Sequence, residues 1–168
     1  MKVTIHSPLK PLFFRQMLTT SAGYKGYLSA KLLHQFTNNQ SYKVKIGDIL
    51  LELREQKKKD GKRNWALLFL KNKDSIKIGN LTMDSLSNET LKTGSTKFIL
   101  SIKDKPFHAQ KEYMQIQDKC HLYDINNNIV ASYLKPSLLK KNIETYIEDD
   151  LLLNSALIIS LSLIVFVS

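Results

Sequence analysis

Seventeen consecutive residues, Leu151 to Val167, carry no charge, and only Asn154, Ser155, Ser160 and Ser162 interrupt their apolar character. As a helix such a segment spans about 25 Å, short of the roughly 30 Å hydrocarbon core of a bilayer. Its entrance, Glu148-Asp149-Asp150, is acidic where the cytoplasmic flank of an anchor carries Lys or Arg. Asp149 or Asp150 suits a helix N-cap instead, accepting from the first free N–H groups and complementing the helix dipole. A helix apolar on every face must be surrounded on every face. The preceding chain is therefore expected to enclose it; a C-terminal tail anchor is the alternative.

From Tyr42 onward the pattern is short, alternating and β-rich. In SYKVKIGDILLELREQ, Tyr42, Val44 and Ile46 alternate with Lys43 and Lys45, and Ile49, Leu51 and Leu53 resume the phase after Gly47. Asp60-Gly61 in KKKDGKR predicts a hairpin turn, because such turns need positive φ, and NWALLFL predicts the returning strand. Alternation recurs at Ser75–Ile78 and Lys97–Lys103, with LTMDSLSNETLKTGST between them expected as a loop. EYMQIQ, KCHLYDI, IVASYLK and NIETYIEDD follow as strands, the middle two joined by Asn126-Asn127-Asn128, which tolerate left-handed backbone. The first forty residues are less regular. Val3 and Ile5 suit a strand, Pro8 and Pro11 break it, and Ser29 to Phe36 suits a short helix capped by Ser29.

About eight to ten strands, with no βαβ rhythm, are expected to close around the last helix as a mainly antiparallel β-barrel. One domain is expected over residues 1–168: residues 1–41 without clear assignment, 42–148 as the strand-rich barrel, and 149–168 as the buried helix. The single cysteine, Cys120, excludes an intramolecular disulfide and makes a cytoplasmic protein the default. Leu12-Phe13-Phe14 is too short for a signal-peptide core, so no export signal is expected.

A strand–Asn turn–strand unit, HLYDINNNIVASYLK, followed by a strand running into TYIEDDLLLNSALIISLSLIV, resembles the tubby C-terminal-like superfamily. That group includes tubby proteins, phospholipid scramblases and LURP-one-related proteins. The resemblance runs from Tyr42 to Ser168 in layout and rests on Tyr123-Asp124, Ile129-Val130-Ala131 and the acidic helix entry. It implies a closed, mostly antiparallel barrel threaded by a hydrophobic C-terminal helix. In tubby proteins basic residues on the barrel surface bind phosphoinositide headgroups, which implies a lipid-facing role without assigning a residue here.

Twenty-five Lys and Arg against fifteen Asp and Glu give a net charge of +10. Such a field favours anionic partners: lipid surfaces, acidic proteins or nucleic acid. The densest cation group is the hairpin tip Lys57, Lys58, Lys59, Lys62 and Arg63, and each cation near an anionic membrane contributes about 1 kcal/mol. The competing reading of such a run is a solvated turn. A second set, Lys43 and Lys45 with Lys71, Lys73 and Lys77, is expected along the outer face of adjacent strands. Nucleic acid ranks lower, because Tyr42 and Trp65, which could stack on bases together with Tyr113, share a phase with Val44, Leu67 and Phe69.

No catalytic constellation is evident. His6, His34, His108 and His121 lie far apart, and Cys120 and His121 point to opposite faces of a strand, so neither a metal nor a cofactor is expected. Cys120 suits a small core residue. Glu52, Glu55, Glu112 and Glu144 stand beside lysines on faces expected to be solvated. The expectation is a noncatalytic barrel that binds anionic lipid or another acidic partner, through Lys57, Lys58, Lys59, Lys62, Arg63, Lys43 and Lys45.

Overall fold

The computed structural model describes residues 1–6, 15–30, 41–59, 62–72, 74–84, 95–112, 119–137, 140–147 and 150–166. Twelve strands precede one described helix: β1 (Lys2–His6), β2 (Arg15–Thr20), β3 (Lys25–Ala30), β4 (Ser41–Ile46), β5 (Ile49–Lys59) and β6 (Lys62–Lys71) form the first half. β7 (Asp74–Asp84), β8 (Ser95–Ile102), β9 (Lys105–Glu112), β10 (Lys119–Asp124), β11 (Ile129–Ser137) and β12 (Lys140–Thr145) form the second, and α1 (Leu151–Phe166) follows. Each strand pairs antiparallel with the next, and β1 pairs with β12 to close the barrel. Closure leaves no strand edge open to another chain.

Alternation along each strand sends one set of side chains inward. Val3, Leu18, Val44, Leu51, Leu53, Trp65, Leu81, Leu100, Leu122 and Ile143 are fully buried, and they meet a helix whose residues from Leu153 to Ile164 are at most 4% exposed. The apolar C-terminal segment therefore lies inside the barrel. Among the described residues no helix is long and apolar enough to cross a membrane.

Both helix ends meet specific polar groups. Asp150 Oδ1 accepts from the Leu153 N–H at 2.9 Å, and Lys103 Nζ lies 3.2 Å from Asp150 Oδ2. The Leu153 N–H is the main cause that holds the Asp150 carboxyl below its ordinary range. Asp150 thus fills the predicted cap, whereas Asp149 lies outside the described residues. At the other end Lys111, 4% exposed on β9, donates to the carbonyls of Val165 at 2.9 Å and Ile164 at 3.3 Å. These carbonyls have no partner within the helix, and the ammonium complements the negative end of the dipole.

The barrel starts well before Tyr42. β1, β2 and β3 all belong to it, so the expected boundary at residue 42 and the count of eight to ten strands are both corrected. Ser29 sits on β3 rather than capping a helix, and residues 31–36 lie outside the described residues. Inward positions of these strands carry Thr20 and Gly26 beside Leu18 and Leu28, which hides the alternation. Gly26 is required by packing, because a Cβ there would strike the Lys45 carbonyl oxygen. β9 escaped the sequence reading for another reason. Its turn uses Lys103 and Asp104 at φ 47° and 62° without a glycine, and Pro106 follows near the strand start. Of the loop expected from Leu81 to Thr96, the residues up to Asp84 belong to β7 and Ser95 and Thr96 to β8, with residues 85–94 outside the described set. In EYMQIQ only Glu112 is described, as the last residue of β9. The β10–β11 turn does adopt left-handed backbone, at Asn127 with φ 62°.

Replacing Lys111 by Met keeps the side-chain length but leaves two buried carbonyls without their donor. Unfolding in urea is expected to show a loss of about 1–3 kcal/mol, the cost of an unsatisfied buried polar group.

Candidate anionic-partner surface

β2, β3 and β4 are neighbours, and their register fixes what they show to the outside. Arg15 pairs with Ser29 and Ser29 with Lys43; Met17 pairs with Tyr27 and Tyr27 with Lys45; Thr19 pairs with Lys25. Leu18, Leu28, Val44 and Ile46 face the core. The outer face of three short strands therefore carries Arg15, Lys25, Lys43 and Lys45 around Met17 and Tyr27, across two strand spacings of about 5 Å each. Arg15 Cζ stands 4.0 Å from the centroid of the Tyr27 ring, a cation–π contact that places the guanidinium on the surface. Met17 is 54% exposed.

No acidic residue lies on β2, β3 or β4. The register partner of Lys43 on the next strand is Glu52, which is 4% exposed and held by Arg54 Nη2 at 2.8 Å and by the Ser41 hydroxyl. Burial pushes the Glu52 carboxyl up. Hydrogen bonds from Arg54 and Ser41, with the fields of Arg54 and Lys43, outweigh it and hold the group below its ordinary value. Glu52 stays ionised and engaged with neighbours on its own wall.

Of the residues expected from sequence, Lys43 and Lys45 fall on this face. Lys77, on β7, lies on the same lateral row as Lys43 but is separated from it by Glu52 and Leu68, and Lys71 sits on the intervening β6. The second basic set is therefore not on adjacent strands, and Lys73 lies outside the described residues. At the hairpin, Lys59 pairs with Lys62 across a turn whose Asp60 and Gly61 are also outside the described residues. Lys57, Lys58 and Lys59 have described backbone on β5, and Lys62 is exposed.

Arg63 departs from that group. Its Nε donates to Glu55 Oε1 at 2.8 Å, its Cζ lies 4.9 Å from the Trp65 ring, and Glu55 is 8% exposed. Glu55 is buried because it shares the inward phase of Leu51 and Leu53, and Glu52, on the outward phase, is covered by its neighbours, so neither is solvated as expected. Tyr42 belongs to the same cluster: burial raises its phenol, Arg63 opposes that and Glu55 adds to it. Trp65 is fully buried and is not a surface platform for bases; Tyr113 lies outside the described residues.

Sequence reasoning missed Arg15, Met17, Lys25 and Tyr27, although a signal was present. Residues 1–47 hold seven Lys or Arg and no Asp or Glu, so this part carries +7 of the net +10. The first acid is Asp48, in the β4–β5 turn.

Cys120 faces the core at 3% exposure on β10, while His121 is directed outward with Nδ1 2.9 Å from Ser132 Oγ. His108 stacks on Tyr123 with centroids 5.5 Å apart, and His34 lies outside the described residues. Burial, opposed in part by Lys111, pushes the Cys120 thiol up to about 11, away from the thiolate a nucleophile needs. Among the described residues no three His, Cys, Asp or Glu side chains converge as metal ligands. The molecule is thus a closed antiparallel barrel around a central helix, with four of its basic residues on the β2–β4 wall. Compared with known proteins, the chain matches no family model, no curated protein and no solved structure.

Two outcomes follow from these buried groups. The folded state holds the Cys120 proton more tightly than the unfolded chain, whose thiol has the ordinary value of 9.0. This contribution is intact below pH 9 and is lost as pH rises to about 11, at about 1.4 kcal/mol per pH unit. Denaturation of Cys120→Ala across that window is expected to show a correspondingly shallower fall than the parent. Arg63→Ser, which removes the 2.8 Å bond to the Glu55 carboxylate, is expected to lower stability by up to about 3 kcal/mol in the same assay, the low end for a broken buried pair because Arg63 is partly exposed.

Proposed function

We propose that the protein is a cytoplasmic, noncatalytic barrel module that attaches to anionic lipid surfaces through the outer wall of β2–β4. One observation carries this reading: Arg15, Lys25, Lys43 and Lys45 surround an exposed Met17 and the Tyr27 ring on a wall that bears no carboxylate. Cations attract phosphate-bearing headgroups through a field that needs no shaped pocket, while a thioether and a phenol ring suit the boundary between headgroup and acyl chain. Their combination favours a lipid surface over an acidic protein, for which the cations alone would suffice. It also favours lipid over nucleic acid, since Trp65 is enclosed. The resemblance to tubby-like proteins points the same way. Attachment is peripheral, because the apolar helix is occupied inside the barrel.

Sedimentation with phosphatidylcholine vesicles, with and without phosphatidylserine, tests the reading. Binding is expected to require the anionic lipid and to weaken as salt rises. Replacing Arg15, Lys25, Lys43 and Lys45 together by Ser should weaken it on the order of a thousandfold, at about 1 kcal/mol per cation. Undiminished binding by that variant, with an unchanged melting curve, would falsify the assignment of this wall. Failure of the parent to bind any anionic vesicle, alongside binding to an acidic protein, would transfer the wall to that partner.

A further inference from the structure

We propose that the barrel mouth where the helix enters binds the alkyl chain of a singly tailed anionic amphiphile, with its headgroup at Lys25 and Lys45. The proposal rests on the lipid-facing reading of the β2–β4 wall and names a ligand site beside it. A cavity of about 420 Å³ opens at this mouth, lined by Met1, Ser21, Ala22, Tyr24, Ile147, Leu151 and Asn154. Its volume falls in the range of small-molecule sites, about 300–1,000 Å³.

The lining has two characters. Met1, Ile147 and Leu151 are half-buried and pack against the main core, so the apolar interior continues into the cavity. Tyr24 forms the wall toward the basic face: its ring lies 3.1 Å from where a Cβ on Gly47 would stand. The Gly47 N–H donates to the Lys25 carbonyl at 3.4 Å, tying this wall to β3. Lys25 is exposed and follows Tyr24 directly, and Lys45 pairs with Tyr27 on the adjoining strand.

Other cations at this mouth are engaged. Lys2 pairs with Glu144 at 3.0 Å and Lys103 with Asp150 at 3.2 Å, whereas no carboxylate pairs with Lys25 among the described residues. A flexible chain entering between Ala22 and Leu151 gains apolar contact, and its charged end stays in water beside the lysines. This division of surface suits a fatty acid or another single-chain anion.

The full-length protein titrated with hexanoate, octanoate and decanoate below their micelle concentrations gives the test, read by methyl resonances of Met1, Ile147 and Leu151. Affinity is expected to rise about fourfold per added methylene, since each buried CH₂ contributes about 0.8 kcal/mol. Inorganic phosphate, which has no tail, should leave those methyls unmoved. Ala22→Phe, changed in an exposed turn, should weaken decanoate about fifteenfold by excluding two methylenes; Ile147→Phe is the second variant should the first perturb folding. Affinity independent of chain length, or shifts confined to Ile125 and Ile129 on the outside, would overturn the cavity. A flat chain-length series with vesicle binding intact removes this site alone. Chain-length dependence without vesicle binding removes the basic-wall reading and leaves a neutral tail-binding mouth, which also overturns the headgroup assignment.

Discussion

An α-helix that is apolar on all sides has to be enclosed, and the rest of this molecule answers that requirement. Closed barrels of about eight strands are filled by their own side chains, whereas larger ones leave a lumen that must be occupied. Twelve strands leave such a space, and α1 occupies it, so that Leu157, Ile158, Ile159, Leu161, Leu163 and Ile164 are all fully buried. Helix and barrel depend on each other: without the helix the inward row from Val3 to Ile143 would face an empty core, and without the barrel the helix would be exposed.

The helix ends are where this arrangement is most demanding, because a buried terminus leaves backbone groups without water. Asp150 meets the requirement at the mouth, close to solvent and to Lys103. Lys111 meets it at the inner end, where burial lowers its pKa and so opposes the charge it carries. Two carbonyl acceptors and the negative end of the helix dipole offset that opposition. Ser162 bonds back to the Ile158 carbonyl at 2.7 Å, so its hydroxyl stays inside the helix's own ladder.

With the interior committed to packing, the outer wall and the mouths are what the barrel presents to solvent. The strand period of two separates these tasks residue by residue, so Lys43 and Lys45 can face solvent while Val44 and Ile46 are fully buried. Acids are treated differently from one sector to another. Glu52 and Glu55 are each held by an arginine, while β2–β4 contain none. The basic wall is thus a product of where carboxylates are missing or engaged as much as of where lysines stand.

Strong local signals were readable without coordinates. The long apolar run, its acidic entrance, the alternation in β4 to β6 and the Asn-rich turn at Asn127 each depend on neighbours along the chain, so the sequence determined the helix, its cap and the closed-barrel class. β1 to β3 and β9 were obscured because their inward positions include Thr20 and Gly26 or because the turn at Lys103-Asp104 lacks glycine. Only the tertiary structure decided that Lys111 caps the helix, that Glu55 and Arg63 turn inward, and that Arg15, Lys25, Lys43 and Lys45 share one wall. Those outcomes depend on pairing register and closure between distant segments, and a change of one residue in register exchanges the buried face for the exposed one.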